Sequence, residues 1–387
     1  MEKHVKVAAA QGKQEYQFKL KGIPHIDPHC QPRPMHYYRT VDGVCNWPNL
    51  SQHTLGSVGQ LYGRDREPSY VDGIDQPRKP ARATPRALSN AFWNASQEHV
   101  REWEHTPYLV AFVEFLVHDI LAADYSKAPE DTYDLEIPED DTFFNASTDR
   151  LTFTRVSAAP GTGRGTGKAR QNINQRSVWL DLSQVYGRSL DVQKQLRSGV
   201  DGKMKMGKGG SLLPTTEDIP GVRMEQRKRE PVFVAGDPRA NQDVLLLVLH
   251  HIYVLEHNRL CDELRRHYPE GLSEGLWNDE RLFLTARTIL SGKNNMVASA
   301  YFGAYFTDYL EKGGDPLVIF RSYMGKGPIQ VNPFKVYPWK DVLNPVNNAP
   351  FALPVDFSVG YRWHDLLVSR LSLLCRTHNA VCSLAPF

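Results

Sequence analysis

Three islands of the sequence carry side chains that could do acid–base and metal chemistry. His118-Asp119 ends one apolar run, Arg239 precedes another, and His364 closes a Tyr-Arg-Trp-His segment near the C-terminus. One imidazole can move a proton, a guanidinium can stabilise developing negative charge, and a second imidazole can ligate a metal. Together these roles suit the cleavage of a peroxide at a haem iron. Each island alone is equally consistent with a core histidine or a helix-end ion pair.

Composition narrows the class of protein. The chain has 387 residues with 41% hydrophobic content, enough for a large core. A formal net charge of +2 argues against nucleic acid as the main partner. No run of 18 apolar residues occurs, so no transmembrane segment is expected. The N-terminus lacks the apolar stretch of a secretory signal peptide, which predicts a cytosolic protein or a sequence that has lost its first exon.

Cysteines and sequons bear on the compartment. The five cysteines fit no zinc spacing. Cys30 and Cys45 could close a small disulfide loop if the protein is exported, or both could be free thiols. Cys261 lies in a helical pattern and is expected to be buried and inert. Three Asn-x-Ser sequons give weak support to secretion; they begin at Asn49, Asn94 and Asn145.

The elements that must position the three islands are helices. Thr106-Pro107 predicts a helix start, followed by apolar residues to Ala123. Asp237-Pro238 predicts a second helix, with Asp as the cap and Pro at the first position, that runs to about His267. A third helix is expected over about 279–310, and a fourth begins near residue 356.

Loops are expected between these helices, because Gly, Pro, Asp and Asn concentrate there and no strand alternation is sustained. The expected loops are 38–86, 125–170 and 313–350. The fold class predicted is therefore mainly α, a single large helical domain with long loops. Residues 1–37 are expected to form an irregular N-terminal arm.

Four further segments carry a resemblance to a known family. They are, in order, YRTVDGVCN from Tyr38, YVDG from Tyr70, PRALSN from Pro85 and EHNRL from Glu256. Together with the islands they make the chain similar to the animal-type haem peroxidase superfamily. That superfamily includes the peroxidasin and myeloperoxidase group, prostaglandin synthases and fatty-acid α-dioxygenases. The resemblance covers about 38–370 and implies a helical haem peroxidase-like domain.

The resemblance assigns roles to the three islands. It implies that His118 is the distal histidine, that Arg239 is the distal arginine and that His364 is the proximal ligand of haem b. A neutral imidazole can shuttle the peroxide proton, and the permanently charged guanidinium can support the leaving oxygen. We also expect Arg239 to lie in the first turn of its helix, where the macrodipole adds to its field.

Three positions depart from the myeloperoxidase-like pattern. Val117 and Gln242 stand where those enzymes carry carboxylates that bond covalently to haem. Their absence predicts non-covalent haem and weakens any expectation of halide oxidation. Glu114 stands where those enzymes carry Gln.

A calcium site is also implied by the resemblance. The ligands would be the carboxylates of Asp119 and Asp181, the hydroxyls of Ser177 and Ser183, and the carbonyl of Trp179. Such an alternating oxygen-donor loop with a remote carboxylate suits a hard cation. The ion would then fix the distal helix. The alternative is a hydrogen-bonded turn without a metal.

Tyr361 separates two branches of the superfamily. Tyr361 and His364 are spaced so that both can face the haem from one helix. The peroxidase branch usually carries Arg-aromatic-Gly-His at this place, whereas prostaglandin synthases and related dioxygenases carry Tyr-x-aromatic-His, as this chain does. In those dioxygenases the tyrosine forms a radical that abstracts hydrogen from a fatty acid. The alternative is a packed core tyrosine.

Three functions remain open from the sequence. The first is reduction of hydrogen peroxide or a lipid hydroperoxide with oxidation of a small organic donor. The second is fatty-acid dioxygenation through Tyr361. The third is a non-catalytic, haem-poor product, because few residues follow His364 and the tail 371–387 is atypical of the family, which predicts a C-terminally truncated domain. The resemblance to this superfamily also implies a secreted protein that takes part in the response to oxidative stress.

Overall fold

The structure is a computed structural model and describes a large part of the chain in several segments. The described residues are 38–46, 54, 56–64, 67–77, 83–93, 107–225, 231–269, 271, 275, 277–311, 372–375 and 380–383. The expected arm at 1–37 and the helix near 356 lie outside them. The domain limits 38–370 and the tail 371–387 therefore stay predictions.

Helices dominate the described residues, which confirms the mainly α fold class. The helices are α1 (Pro85–Trp93), α2 (Pro107–Ile120), α3 (Ser183–Tyr186), α4 (Leu190–Leu196), α5 (Val244–His267) and α6 (Asp279–Glu311). The predictions of a start at Pro107 and of a helix over about 279–310 are confirmed. Helices α1, α3 and α4 were not expected, because each is short and set among turn-forming residues.

Two short hairpins interrupt the helical architecture. Strand β1 (Thr132–Leu135) pairs with β2 (Leu151–Thr154), and β3 (Ser372–Cys375) pairs with β4 (Ala380–Ser383), both antiparallel. The first hairpin corrects the expectation of loop over 125–170. Its strands have four residues each, too few for alternation to stand out in the sequence.

The core forms where α5 packs against α2 and α6. Helix α2 is apolar on nearly every face, so it lies in the interior, with Phe115 fully buried. Helix α5 buries a stripe that includes Leu246, Val254 and Cys261. The polar residues Glu256 and Arg259 pair with each other on the outer side of α5.

The start of α5 differs from the prediction. The helix begins at Val244, and Asp243 caps it by accepting the Leu246 N–H at 2.8 Å. Asp237 and Pro238 form a preceding turn, because the Asp237 carboxylate is bound to two arginines and to the Arg239 N–H. The predicted end at His267 is confirmed. Arg239 is therefore outside the first helical turn, and the expected help from the macrodipole is wrong.

A glycine seats α5 against the start of α6. Gly202 has φ +71°, and a Cβ there would lie 2.5 Å from Phe283 N. Its carbonyl accepts hydrogen bonds from His257 Nε2 at 2.8 Å and from the Cys261 thiol at 3.3 Å. Burial raises the pKa of Cys261 to about 12. The expectation that Cys261 is buried is confirmed.

The segment around Tyr38 is bound to a helix far along the chain. The Tyr38 hydroxyl pairs with Thr285 Oγ1 at 2.8 Å, and Arg287 donates to the Arg39 carbonyl at 3.0 Å. Cys45 is disulfide-bonded, whereas Cys30 lies outside the described residues. Among the helices the structure describes, none is both long and apolar enough to cross a membrane.

Candidate functional site

His118 lies in the last turn of α2, deep in the interior. The residue is 3% exposed, and nothing among the described residues forms a hydrogen bond with its Nδ1. Its Nε2 is 3.8 Å from Glu114 Oε1, one turn earlier. Burial, and then the positive charge of Arg239, holds the pKa of His118 well below its usual value. The imidazole is therefore neutral and can act as a base.

Arg239 reaches the C-terminal end of α2 from the turn before α5. Its Nη2 donates to the Leu121 carbonyl at 2.8 Å and to the His118 carbonyl at 3.4 Å. The structure thus brings the predicted distal pair together. The hydrogen bonds of Arg239 to described residues use its backbone N, Nε and Nη2, and the side chain is 18% exposed. Its Nη1 is therefore available to a ligand.

Asp237 holds the arginine and was not singled out from the sequence. Its two carboxylate oxygens accept Nε and Nη2 of Arg239 at 2.9 and 2.7 Å. The same carboxylate accepts Nη2 of Arg176, and both residues are buried. Although burial alone would raise it, the charges of Arg176 and Arg239 hold the pKa of Asp237 well below its usual range. One buried carboxylate therefore pairs with one buried and one partly buried guanidinium group.

A carboxyl group at the start of α5 adds a second feature that sequence reasoning missed. Burial raises the pKa of Asp243 to about 6; the Leu246 N–H opposes this, and the negative charge of Glu114 adds to it. Glu114 is itself 5% exposed. Two residues stand where myeloperoxidase-like enzymes carry carboxylates that bond to haem. Of these, Gln242 donates a hydrogen bond to Glu225 at 3.4 Å, and Val117 packs in a small cluster with Tyr62 and Leu121.

His250, on α5, faces the same interior. It is fully buried, and both ring nitrogens lack a hydrogen-bond partner among the described residues. The ring meets Phe115 edge-on, with centroids 5.0 Å apart. Burial lowers the pKa of His250 to about 4. The ring contact is that of a packed core histidine, but the unpartnered nitrogens distinguish His250 from His257, whose two ring nitrogens are hydrogen-bonded.

The loop after residue 176 wraps around the end of α2. Both oxygens of Asp119 accept backbone N–H groups, from Leu182 at 2.9 Å and from Ser183 at 2.6 Å. The Ser183 hydroxyl donates to the Asp119 carbonyl at 2.8 Å. Leu180 and Leu182 adopt positive φ of 48° and 63°, which turns the chain around the carboxylate. The Asp119 carboxylate thereby caps helix α3.

Four of the five predicted cation ligands lie on this loop, and the fifth is Asp119. Ser177 Oγ donates to Asp181 Oδ2 at 3.4 Å, whereas Asp181 Oδ1 is buried without a partner among the described residues. Burial, with the negative charge of Asp181, raises the pKa of Asp119 to about 7. The Trp179 carbonyl accepts from Arg39, and Arg287 Nη2 lies 3.5 Å from Asp181.

Other metal-binding groups are not evident in the described part of the chain. It contains no group of three or more His, Cys, Asp or Glu that could hold a metal ion. The predicted set of Asp119 and the 177–183 loop has two carboxylates and takes its other oxygens from hydroxyls and a carbonyl. Tyr361 and His364 lie outside the described residues, so the proximal side of the site stays a prediction.

Comparisons with known proteins identify the family to which the sequence is similar. The family model of the animal haem peroxidase matches residues 38–303. Chorion peroxidase of Drosophila melanogaster is 27% identical over 344 residues, which cover 80% of this chain and 39% of that protein. Alpha-dioxygenase 2 of Arabidopsis thaliana is 30% identical over 256 residues, which cover 65% and 34%. The chain thus spans less than half the length of these relatives.

A solved structure gives the same result. Peroxidase A from Dictyostelium discoideum superposes with a TM-score of 0.57 at 25% identity. The match covers 67% of this chain and 51% of that protein.

Proposed function

The chain belongs to the animal haem peroxidase family, and from this membership we propose that it reduces hydrogen peroxide or an organic hydroperoxide while oxidising a small organic donor. One observation carries the proposal: Arg239 binds the end of the helix that carries His118, and the buried Nδ1 of His118 has no hydrogen-bond partner among the described residues. In the overall reaction the peroxide gains two electrons and two protons, giving water and an alcohol or a second water. The donor loses the two electrons.

The residues present fit haem on the distal side. When bound, haem supplies the iron at which the O–O bond breaks. A nitrogen of the neutral His118 takes the proton from one peroxide oxygen and returns it to the departing oxygen. Nη1 of Arg239 donates to the oxygen that gains negative charge. The packed, apolar α2 excludes water around His118. His364 would hold the iron from the other side, and the haem would be non-covalent.

Replacement of the distal base tests the function. His118→Ala should keep haem but slow the reaction with hydrogen peroxide about 10²–10⁴-fold, because proton transfer loses its catalyst. Arg239→Ala should also slow it without loss of haem. Stopped-flow absorbance of the haem-loaded protein measures both rates. His267→Ala, at the exposed end of α5, is the control and should react like the parent. An unchanged rate in His118→Ala would remove the assignment.

A second candidate is fatty-acid dioxygenation, in which oxygen is added to the acyl chain. Two observations favour it: the Tyr361-x-x-His364 spacing and the 30% identity to Alpha-dioxygenase 2. Tyr361 would then form a radical that takes a hydrogen atom from the fatty acid. Peroxide-treated protein should show a tyrosyl radical by electron paramagnetic resonance, absent in Tyr361→Phe. That variant should lose oxygen uptake with fatty acids but still oxidise phenols. Equal behaviour of parent and variant in both assays leaves the peroxidase alone.

Calcium on the 177–183 loop is part of the proposal. Asp119 and Asp181 are both buried, and Asp181 Oδ1 lacks a partner among the described residues, which suits a hard cation. Arg39 and Arg287 also bring positive charge to this loop, so ion pairing is the competing account. Protein purified without added calcium should contain about one equivalent. Asp181→Asn should lose it and Asp201→Asn should keep it; its absence from the parent would leave the ion pairs as the explanation.

The proposed location is outside the cell or in the secretory pathway. The disulfide bond at Cys45 supports it, because disulfides persist in oxidising compartments.

A further inference from the structure

Arg239 needs help to point in one direction. An arginine side chain has several rotatable bonds, and fixing them costs conformational entropy. If the guanidinium were mobile, ligand binding would have to offset the entropy lost when the side chain is fixed. In this structure the ordering is already done, because Asp237 accepts Nε and Nη2 side by side at 2.9 and 2.7 Å. Such a paired contact fixes the plane of the guanidinium as well as its position.

Asp237 is in turn fixed from two sides. Its Oδ1 accepts the Arg239 backbone N–H at 2.7 Å, which closes the turn on itself. Its Oδ2 accepts Nη2 of Arg176, whose Nη1 lies 3.4 Å from the Ser183 carbonyl. Asp237 and Arg176 are both fully or almost fully buried. Since Arg176 directly precedes Ser177, the proposed cation loop and the distal arginine share one chain of contacts.

We propose that Asp237 is a positioning residue that sets the direction of the Arg239 guanidinium, and that Arg176 anchors Asp237 to the 177–183 loop. The inference rests on the proposed function, in which Arg239 faces the ligand of the haem iron. The two distal residues would then share one support. His118 is held through Asp119, which binds the far end of the loop, and Arg239 is held through Arg176 and Asp237. A change in the loop would move both.

Fluoride binding to the ferric haem-loaded protein measures this directly, without turnover. Fluoride is a small anion whose affinity depends on hydrogen bonds from nearby cations. Asp237→Asn keeps the size of the side chain but removes its charge, and should weaken fluoride binding about tenfold, the loss of one charged hydrogen bond. The loss should vanish in an Arg239→Ala background, because two changes that act through one contact are not additive.

Asp131→Asn is the matched control. Asp131 is also buried and also pairs with arginines, here Arg155, Arg164 and Arg170, but makes no ion pair with Arg239. It should lower stability in urea unfolding and leave fluoride affinity unchanged. If Asp237→Asn is too unstable to load with haem, Arg176→Lys replaces it. A lysine cannot span both Ser183 and Asp237, so we expect a smaller loss of fluoride affinity, also absent without Arg239.

The outcomes separate the two proposals. Unchanged fluoride affinity in a folded Asp237→Asn or Arg176→Lys protein overturns the positioning role and leaves the function intact. Equal losses with and without Arg239 also overturn it, because Asp237 would then act through general stability. Unchanged affinity in Arg239→Ala removes the proposed function and the positioning role together.

Discussion

Neutral histidines in the interior are the residue-scale feature that most shapes how the protein responds to acid. His118, His250 and His257 are all buried, and burial lowers the pKa of each. In the unfolded chain a histidine binds a proton below about pH 6.5, whereas these buried histidines stay neutral in the folded protein until the pH is far lower. Stability contributed by these groups is therefore present at neutral pH and is lost as the pH falls below 6.5.

His250 gives a measurable case, because its pKa is about 4 and its ring makes no hydrogen bond to the described residues that a replacement would lose. Between pH 7 and pH 5 it should lower the free energy of unfolding by about 2 kcal/mol. His250→Gln should therefore show a decline smaller by about this amount across the same pH range. Urea unfolding at four or five pH values measures the slopes. Parallel curves for parent and variant would contradict the buried neutral form.

The residue scale also shows what sequence alone could and could not give. His118 and Arg239 carried recognisable chemistry, and the structure places them together. Asp237 was interpreted as a helix cap, since Asp before Pro is a common helix start. Its true partners, Arg176 and Arg239, became visible only when the fold brought residue 176 alongside. A buried carboxylate is defined by its three-dimensional neighbours, and no local pattern identifies it.

At the scale of elements, the site depends on how closely the turn 236–243 approaches α3. Gly236 has no room for a side chain: a Cβ there would lie 2.6 Å from the carbonyl carbon of Val185. This close approach brings Asp237 within reach of Arg176. Glycine at 236 is thus required by packing. It is the neighbouring backbone, which cannot move aside as a flexible side chain could, that fills the space.

A pair of identical substitutions tests this contact. Gly236→Ala should destabilise the protein by about 1–3 kcal/mol, because the added methyl forces two backbones apart. Gly292→Ala, on α6 with open space around its Cβ, should stabilise it by about 0.5–1 kcal/mol through better helix propensity. Thermal unfolding compares the two variants with the parent. Stabilisation by Gly236→Ala would show that the turn is not packed as described.

Element boundaries were predictable where apolar periodicity and punctuation agree. Pro107 marks the start of α2, and the long pattern over α6 gave its extent. The β1–β2 hairpin escaped notice because its strands are largely exposed and have only four residues each, too few for their apolar alternation to stand out. The start of α5 was misplaced by six residues, with Asp237 instead of Asp243 as the cap, because two capping aspartates occur and tertiary contacts select the second.

At the scale of the whole molecule, contacts between distant parts of the chain hold the site. Tyr38 and Arg39 meet Thr285 and Arg287 across nearly two-thirds of the sequence. Arg287 also approaches Asp181, so the N-terminal segment, the 177–183 loop and α6 meet at one buried guanidinium. The sequence could indicate such a meeting only through resemblance to a family, because residues that far apart leave no periodic signal.

Cys261 can serve as a chemical probe of local opening of the core. Its thiol is fully buried and donates a hydrogen bond to the Gly202 carbonyl, and burial raises its pKa to about 12. Alkylating reagents attack the thiolate, so this sulfur is protected twice, by access and by protonation. It becomes reactive only when α5 separates from Gly202. The rate at which Cys261 is alkylated therefore measures how often the core opens. This measurement needs neither the absorbance of haem nor an activity assay.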